Sequence, residues 1–180
     1  MTASELICEF VNTRELLEGT EEWSSPQALA DWLVSHRIAS PGLRATAADL
    51  RRAVELREAL RRALLGHNGV EVDENGAFAV LDQVARQARI QLCFEECAGA
   101  LTPEAGGVTA SLGRIAIAVH STMADGSWER LKACRASDCE WAFLDTAKNH
   151  SRAWCSMSSC GNREKARAFR ERHRQSSASS

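Results

Sequence analysis

No stretch of this chain approaches the roughly 20 apolar residues that a membrane-spanning helix needs, so no membrane partner is expected. The N-terminal "MTASELICEFVNTRELLEG" carries acids early and lacks a basic segment followed by an apolar run, so it does not read as a secretory signal. Both absences make a reducing cytoplasm the expected location. There, clustered cysteines more often bind metal or act in redox chemistry than form disulfides. Also missing are an internal repeat, a phosphate-binding loop and a nucleophile–base motif. No catalytic residue is named and no enzyme is expected. A strong net charge is lacking too: −2 over 180 residues, in a composition (44% hydrophobic, 26% charged) that is globular.

That small net charge hides a division. From Arg130 onward, 11 Lys and Arg stand against 5 Asp and Glu, a balance of +6; the remainder has 11 against 19, a balance of −8. An acidic first part and a basic last part predict two units with different partners. The expected boundary follows Gly126: a helix-rich unit over 1–126, a small metal-binding unit over 127–174, and a disordered tail over 175–180. The expected fold class is α+β and mostly helical.

Residues 4–17 read as a helix with Leu6, Phe10 and Leu17 on its apolar positions. Asn12, Thr13 and Arg14 read as capping or core-edge polar residues, or as pocket lining. Ser25 fits an N-cap and Pro26 a first helical position, ahead of a stripe of Ala28, Leu29, Trp32 and Leu33. "TAADLRRAVELREALRRALLGHNG" is the strongest helix, with Thr46 as cap, Asp49 in the first turn and Leu50, Val54, Leu60 and Leu64 at helical spacing. Its arginines 51, 52, 57, 61 and 62 read as a solvated face partnered by Glu55 and Glu58, or else as a second nucleic-acid contact. Asn75 is the expected cap of the next helix, with Phe78, Leu81, Val84 and Ala88 on one side. "RIQLCFEE" alternates Ile90, Leu92 and Phe94 like a half-buried strand, with "GAL" or "GVTA" as its hairpin partner. "SLGRIAIAVHSTMADG" returns to helix.

Seven cysteines fall into two groups. Cys8, Cys93 and Cys97 lie among apolar residues and read as buried structural thiols. Cys134, Cys139, Cys155 and Cys160 form two C-x4-C pairs separated by fifteen residues. Two close pairs with a short ordered stretch between them are a zinc arrangement: each turn aims two thiolates at one point. Four ligands leave no open position, so the expected cofactor is one structural Zn2+. Trp141 and Phe143, the turn "DTAKNHS" and then Trp154 read as an aromatic hairpin over the metal, with His150 exposed in its turn. So small a unit buries too little to hold itself together, and metal binding would provide much of its folding free energy.

Directly after Cys160 comes "GNREKARAFRERHR". Gly161 is expected to take a positive φ, and Asn162 to cap a helix. Arg163, Arg167, Arg170 and Arg174 then fall on one line, with Lys165 and Arg172 beyond it. Ala166, Phe169 and His173 form a face suited to packing. Guanidinium groups in a row suit phosphates. Arg163, Lys165, Arg167, Arg170, Arg172, Arg174 and Arg152 are therefore the candidate nucleic-acid contacts. The alternative is a zinc-stabilised protein-interaction module whose basic helix docks on an acidic partner.

Through "CRASDCEWAFLDTAKNHSRAWCSMSSCGNREKARAFRERH", with Cys160–Gly161–Asn162–Arg163 as its motif, the chain resembles the CGNR zinc-finger family of bacterial proteins. Through "EFVNT" and the helix-rich layout, the first part resembles the ABATE domain that accompanies it. Glu140 stands where that family usually has glycine, and Ala153 where a second arginine is common. The resemblance implies a treble-clef-like finger that binds double-stranded DNA in a stress-induced transcription regulator. It also implies a first domain that senses a small-molecule ligand; a homodimer fits such a regulator.

Overall fold

A computed structural model describes residues 1–94 and 99–178, with side chains through Arg174. It is α+β and mostly helical: six α-helices and three two-stranded antiparallel ribbons among the described residues. A capping box starts α1 (Ala3–Val11), with Thr2 accepting from the Glu5 N–H and Glu5 accepting from the Thr2 N–H. The helix ends at Val11, short of the expected residue 17. Arg14–Glu15 (β1) and Thr20–Glu21 (β2) then pair, so Leu17 sits in an exposed turn. Asn12 is the C-cap, its N–H donating to the Cys8 carbonyl, and the Thr13 hydroxyl donates to the Phe10 carbonyl.

Ser25 caps α2 (Pro26–Ser35), and a Thr46–Asp49 capping box starts α3 (Ala47–Gly66), both as the sequence predicts. Asp73, not Asn75, caps α4 (Glu74–Ala88) by accepting from the Gly76 N–H. β3 (Ile90–Cys93) pairs with β4 (Ala100–Pro103), so "GAL" supplies the partner; "GVTA" belongs to α5 (Gly107–Ala124). Gly113 of α5 marks its closest approach to its neighbours: a Cβ there would meet Ala88 Cβ at 2.5 Å and Pro103 Cβ at 3.2 Å. Ile90 is half-buried, as its alternation predicts, but Leu92 and Phe94 are not. Leu92 and Phe94 are 53% and 73% exposed, because this ribbon has only two strands to pack with. Cys8 and Cys93 are half-buried rather than buried, and Cys97 lies outside the described residues. Burial, with Glu9 and Glu5 nearby, pushes the Cys8 thiol up to about 12, which keeps it inert at neutral pH.

Leu29 and Leu33 of α2, Leu56, Leu60 and Leu64 of α3, and Ile115 of α5 close the core around Ile7 and Phe10 of α1. Phe10, Trp23 and Trp32 meet edge to face with centroids 5.0 to 5.7 Å apart. The core does not stop at Gly126. Trp128, Leu131, Ala133 and Ala142 belong to it, and they lie on a 3-10 turn (Trp128–Arg130) and on β5 (Leu131–Ala133) and β6 (Ala142–Leu144). A second, smaller cluster gathers Cys134, Ala136, Cys139, Phe143 and Cys160, with Trp141, Trp154 and Cys155 at its rim. A π-helical turn (Met157–Gly161) leads into α6 (Asn162–Ala178), whose backbone continues through 175–178 where a disordered tail was expected. No described helix is long and apolar enough to cross a membrane.

Candidate metal centre and the helix it anchors

β5 and β6 pair with Leu131 opposite Leu144, and the loop that joins them carries Cys134 and Cys139. The hairpin therefore lies upstream of the one expected. Residues 145–154 form no strand; they cross as a loop organised by Asp145. This fully buried carboxylate accepts from Lys132 Nζ at 2.8 Å, the Ala147 N–H at 2.9 Å and the Arg152 N–H at 3.0 Å. Burial opposes its ionisation, but those donors outweigh burial and hold its carboxyl below the usual aspartate range. That is the physical role of the aspartate in "FLDT": it returns the chain to the metal centre.

The second pair comes from the π-helical turn. Ser156 caps it, accepting from the Ser159 N–H, so the cap precedes Cys160 and Asn162 is already helical. Gly161 does not take the positive φ expected of it. It is small because a Cβ there would run into the Met157 sulfur and approach Trp154. Two residues of this unit are left-handed: His150, at φ 50°, and, directly after the second cysteine, Glu140, at φ 49°. Glycine at position 140 would take this conformation without strain.

The ligand atoms of Cys134, Cys139, Cys155 and Cys160 all lie within 4.8 Å of one another. Cys155 Sγ is 3.6 Å from both Cys139 Sγ and Cys160 Sγ. A tetrahedron with 2.3 Å metal–sulfur bonds has edges of about 3.8 Å, so the four thiols fit one zinc-sized ion with no position left over. Their electrostatics point the same way. The Cys139 thiol, with N–H groups of Cys155 and Ala136, holds Cys134 down to about 5; lending that hydrogen bond pushes Cys139 up. Burial, with the charge on Cys134, pushes Cys155 up to about 12. Crowded thiolates repel, and a bound dication lets all four ionise together.

The first unit grips this centre through backbone carbonyls and amides. Asn12 pairs with Ala142, its Oδ1 accepting from the Ala142 N–H at 2.7 Å and its Nδ2 donating to the Ala142 carbonyl at 2.9 Å. Asn68 Nδ2 donates to the carbonyls of Ala133 and Ala153, and His67 Nδ1 is 2.8 Å from the Leu131 carbonyl. Arg61 donates to the Val11 and Glu140 carbonyls. These groups were missed as site residues, and no local signal marks them. Only their distance in sequence from the cysteines, bridged by the fold, gives them a role. Arg57 and Arg61 are 1% and 2% exposed, not part of a solvated face. They lie between Glu21 and Glu58, with Trp23 under the Arg57 guanidinium.

The seven candidate nucleic-acid residues divide. Arg163 donates to Asp138 at 3.0 Å and to Cys160 Sγ at 3.4 Å, tying α6 to the first cysteine loop. Arg152 donates to the carbonyls of Trp154 and Cys155 and lies over the Phe143 ring. Arg167 bridges Glu164 and Asp138. Lys165, Arg170, Arg172 and Arg174 are exposed, as is every residue from Lys165 to Arg174. The expected packing face of Ala166, Phe169 and His173 is therefore unpacked. Phe169 is 54% exposed and meets His173 edge to face at 4.2 Å.

Two family models match the chain. One, for the CGNR zinc finger, covers residues 130–173. The other, ABATE, described as "Putative stress-induced transcription regulator", covers residues 4–126. A comparison with curated proteins finds no match. With the four-cysteine geometry, the finger match makes this centre that of one structural zinc.

Proposed function

The chain belongs to the ABATE family and ends in a CGNR zinc finger, and on that premise we propose that it is a non-enzymatic, DNA-binding transcription regulator of the cytoplasm. The observation that carries this reading is α6: a helix fixed at its first turn by Cys155 and Cys160 and exposed along the length that holds Lys165, Arg170, Arg172 and Arg174. These four meet phosphates, and Arg167 joins them when it exchanges Asp138 for a phosphate. Arg163 and Arg152, spent on the finger, set the helix in place. Fluorescence anisotropy of duplex DNA with the full zinc-loaded chain tests the reading across a salt series. Each phosphate contact contributes about −0.9 to the slope of log K against log salt. A flat salt response, or no binding at low salt, refutes it.

The protein-docking alternative is favoured by Phe169 and Met157, each 54% exposed on the same stretch. If it holds, a Phe169→Ala variant loses its partner and duplex DNA does not compete. We propose a sensing role for the groove between α4 and α5, about 330 Å³, lined by Phe78, Leu81, Val119 and Met123 with Asp82 and His120. It suits a small apolar molecule carrying one polar group. A homodimer is part of the regulator reading, and sedimentation with and without duplex measures it.

A further inference from the structure

The four thiolates are not equally protected. The Cys160 sulfur receives the Arg163 guanidinium. Cys155 Sγ is met instead by two sulfurs, those of Cys139 and Cys160, each 3.6 Å away. Cys134, Cys139 and Cys160 are buried, at 0%, 8% and 2% exposed, whereas Cys155 is half-buried. A cleft of about 310 Å³ between Glu15 and Leu17 of the first unit and Trp141, Ser156 and Ser159 of the finger reaches Cys139, Cys155 and Cys160, and of these three Cys155 is the most exposed. Burial denies a thiolate a collision partner. By exposure, Cys155 is the ligand a solute reaches first.

We propose that Cys155 is the site at which peroxide-class oxidants attack this protein, and that the attack dismantles the zinc centre. The Cys155 thiolate displaces hydroxide from the peroxide O–O bond and becomes a sulfenic acid. The neighbouring thiolate of Cys139 or Cys160 then attacks the Cys155 sulfur. The S–O bond breaks, a second hydroxide leaves, and an S–S bond forms. Two thiolates, one peroxide and two protons give one disulfide and two waters; the peroxide takes the two electrons. Two of the four zinc ligands are lost, and α6 loses its anchor. The proposal does not depend on what α6 binds.

The test uses the full zinc-loaded chain and limiting hydrogen peroxide. A chromophoric zinc indicator follows metal release, and differential alkylation with peptide mapping reports each cysteine. The expected result is one zinc released per disulfide, with Cys155 in that disulfide and Cys8 and Cys93 still reduced at half release. A first disulfide that excludes Cys155, or zinc retained after Cys155 is oxidised, overturns it. Leu17→Trp narrows the cleft mouth without touching a ligand. It should slow release several-fold while leaving zinc affinity unchanged; an unchanged rate removes the cleft from the account.

Discussion

α3 and α6 are the two arginine-rich helices of this molecule, and they use their arginines in opposite ways. α3 carries Arg51, Arg52, Arg57, Arg61 and Arg62; α6 carries Arg163, Arg167, Arg170, Arg172 and Arg174. In α3, Arg57 and Arg61 are buried between Glu21 and Glu58, and Arg61 reaches carbonyls on both sides of the boundary between the units. In α6 Arg163 is drawn inward onto Cys160 and Asp138, Arg167 bridges Glu164 and Asp138, and Arg170, Arg172 and Arg174 are exposed. A guanidinium has five donors and seeks acceptors. Where the fold brings carbonyls and carboxylates around a helix, arginine becomes a cross-link. Where the helix projects, it stays available to a partner.

The largest effect that separates the two helices is metal removal. Chelation should abolish hydrogen-exchange protection over 134–174 while α3 keeps most of its own, since structural zinc contributes on the order of 10 kcal/mol in such units. Equal loss in α3 would show that the units fold as one. Acid should act likewise. All four ligands bind as thiolates, and Cys139 and Cys155 hold their protons tightly, so zinc affinity falls as pH falls, as chelator competition across pH reads.

Next in size is Arg61→Ala. It strands the Val11 and Glu140 carbonyls while Arg57 still pairs with Glu58, and urea denaturation should show a loss of about 2–4 kcal/mol. Asn12→Ala removes both hydrogen bonds to Ala142 and should cost about 1–3 kcal/mol, and with it some zinc affinity, because β6 follows the cysteine loop. Glu140→Gly relieves the left-handed backbone and should stabilise the finger by about 1 kcal/mol, read as a raised Tm of the zinc-loaded chain. The smallest stability effect belongs to Arg170→Ala with Arg174→Ala, within about 0.5 kcal/mol of the parent. That pair should nevertheless lower the DNA salt slope by about 0.9 for each residue. A large stability loss there would erase the contrast between the helices.

Much of this was legible in the sequence because it is local. The caps at Thr46 and Ser25 act within one turn, and the apolar stripes are set by the helical period. Thiolate chemistry marks the four cysteines wherever they lie, and two close pairs state that they converge. What failed were readings that needed distant neighbours. The aromatics after the first cysteine pair suggest a hairpin there, whereas Leu131 and Ala133 are strand because the core receives them. Gly161 was read for its φ when its neighbour Met157 sets its size.

The sequence by itself determined the zinc ligands, the helical first unit and the placing of cations on the last helix, because composition, period and ligand spacing survive without a fold. The tertiary structure decided which arginines are bound and which are exposed, and that Asn12, Arg61 and Asn68 hold the finger. It also decided that Cys155 is the most exposed of the four ligands. Hydrogen-bond acceptors and solvent access belong to surroundings, and surroundings exist only once segments more than a hundred residues apart, such as Asn12 and Ala142, have met.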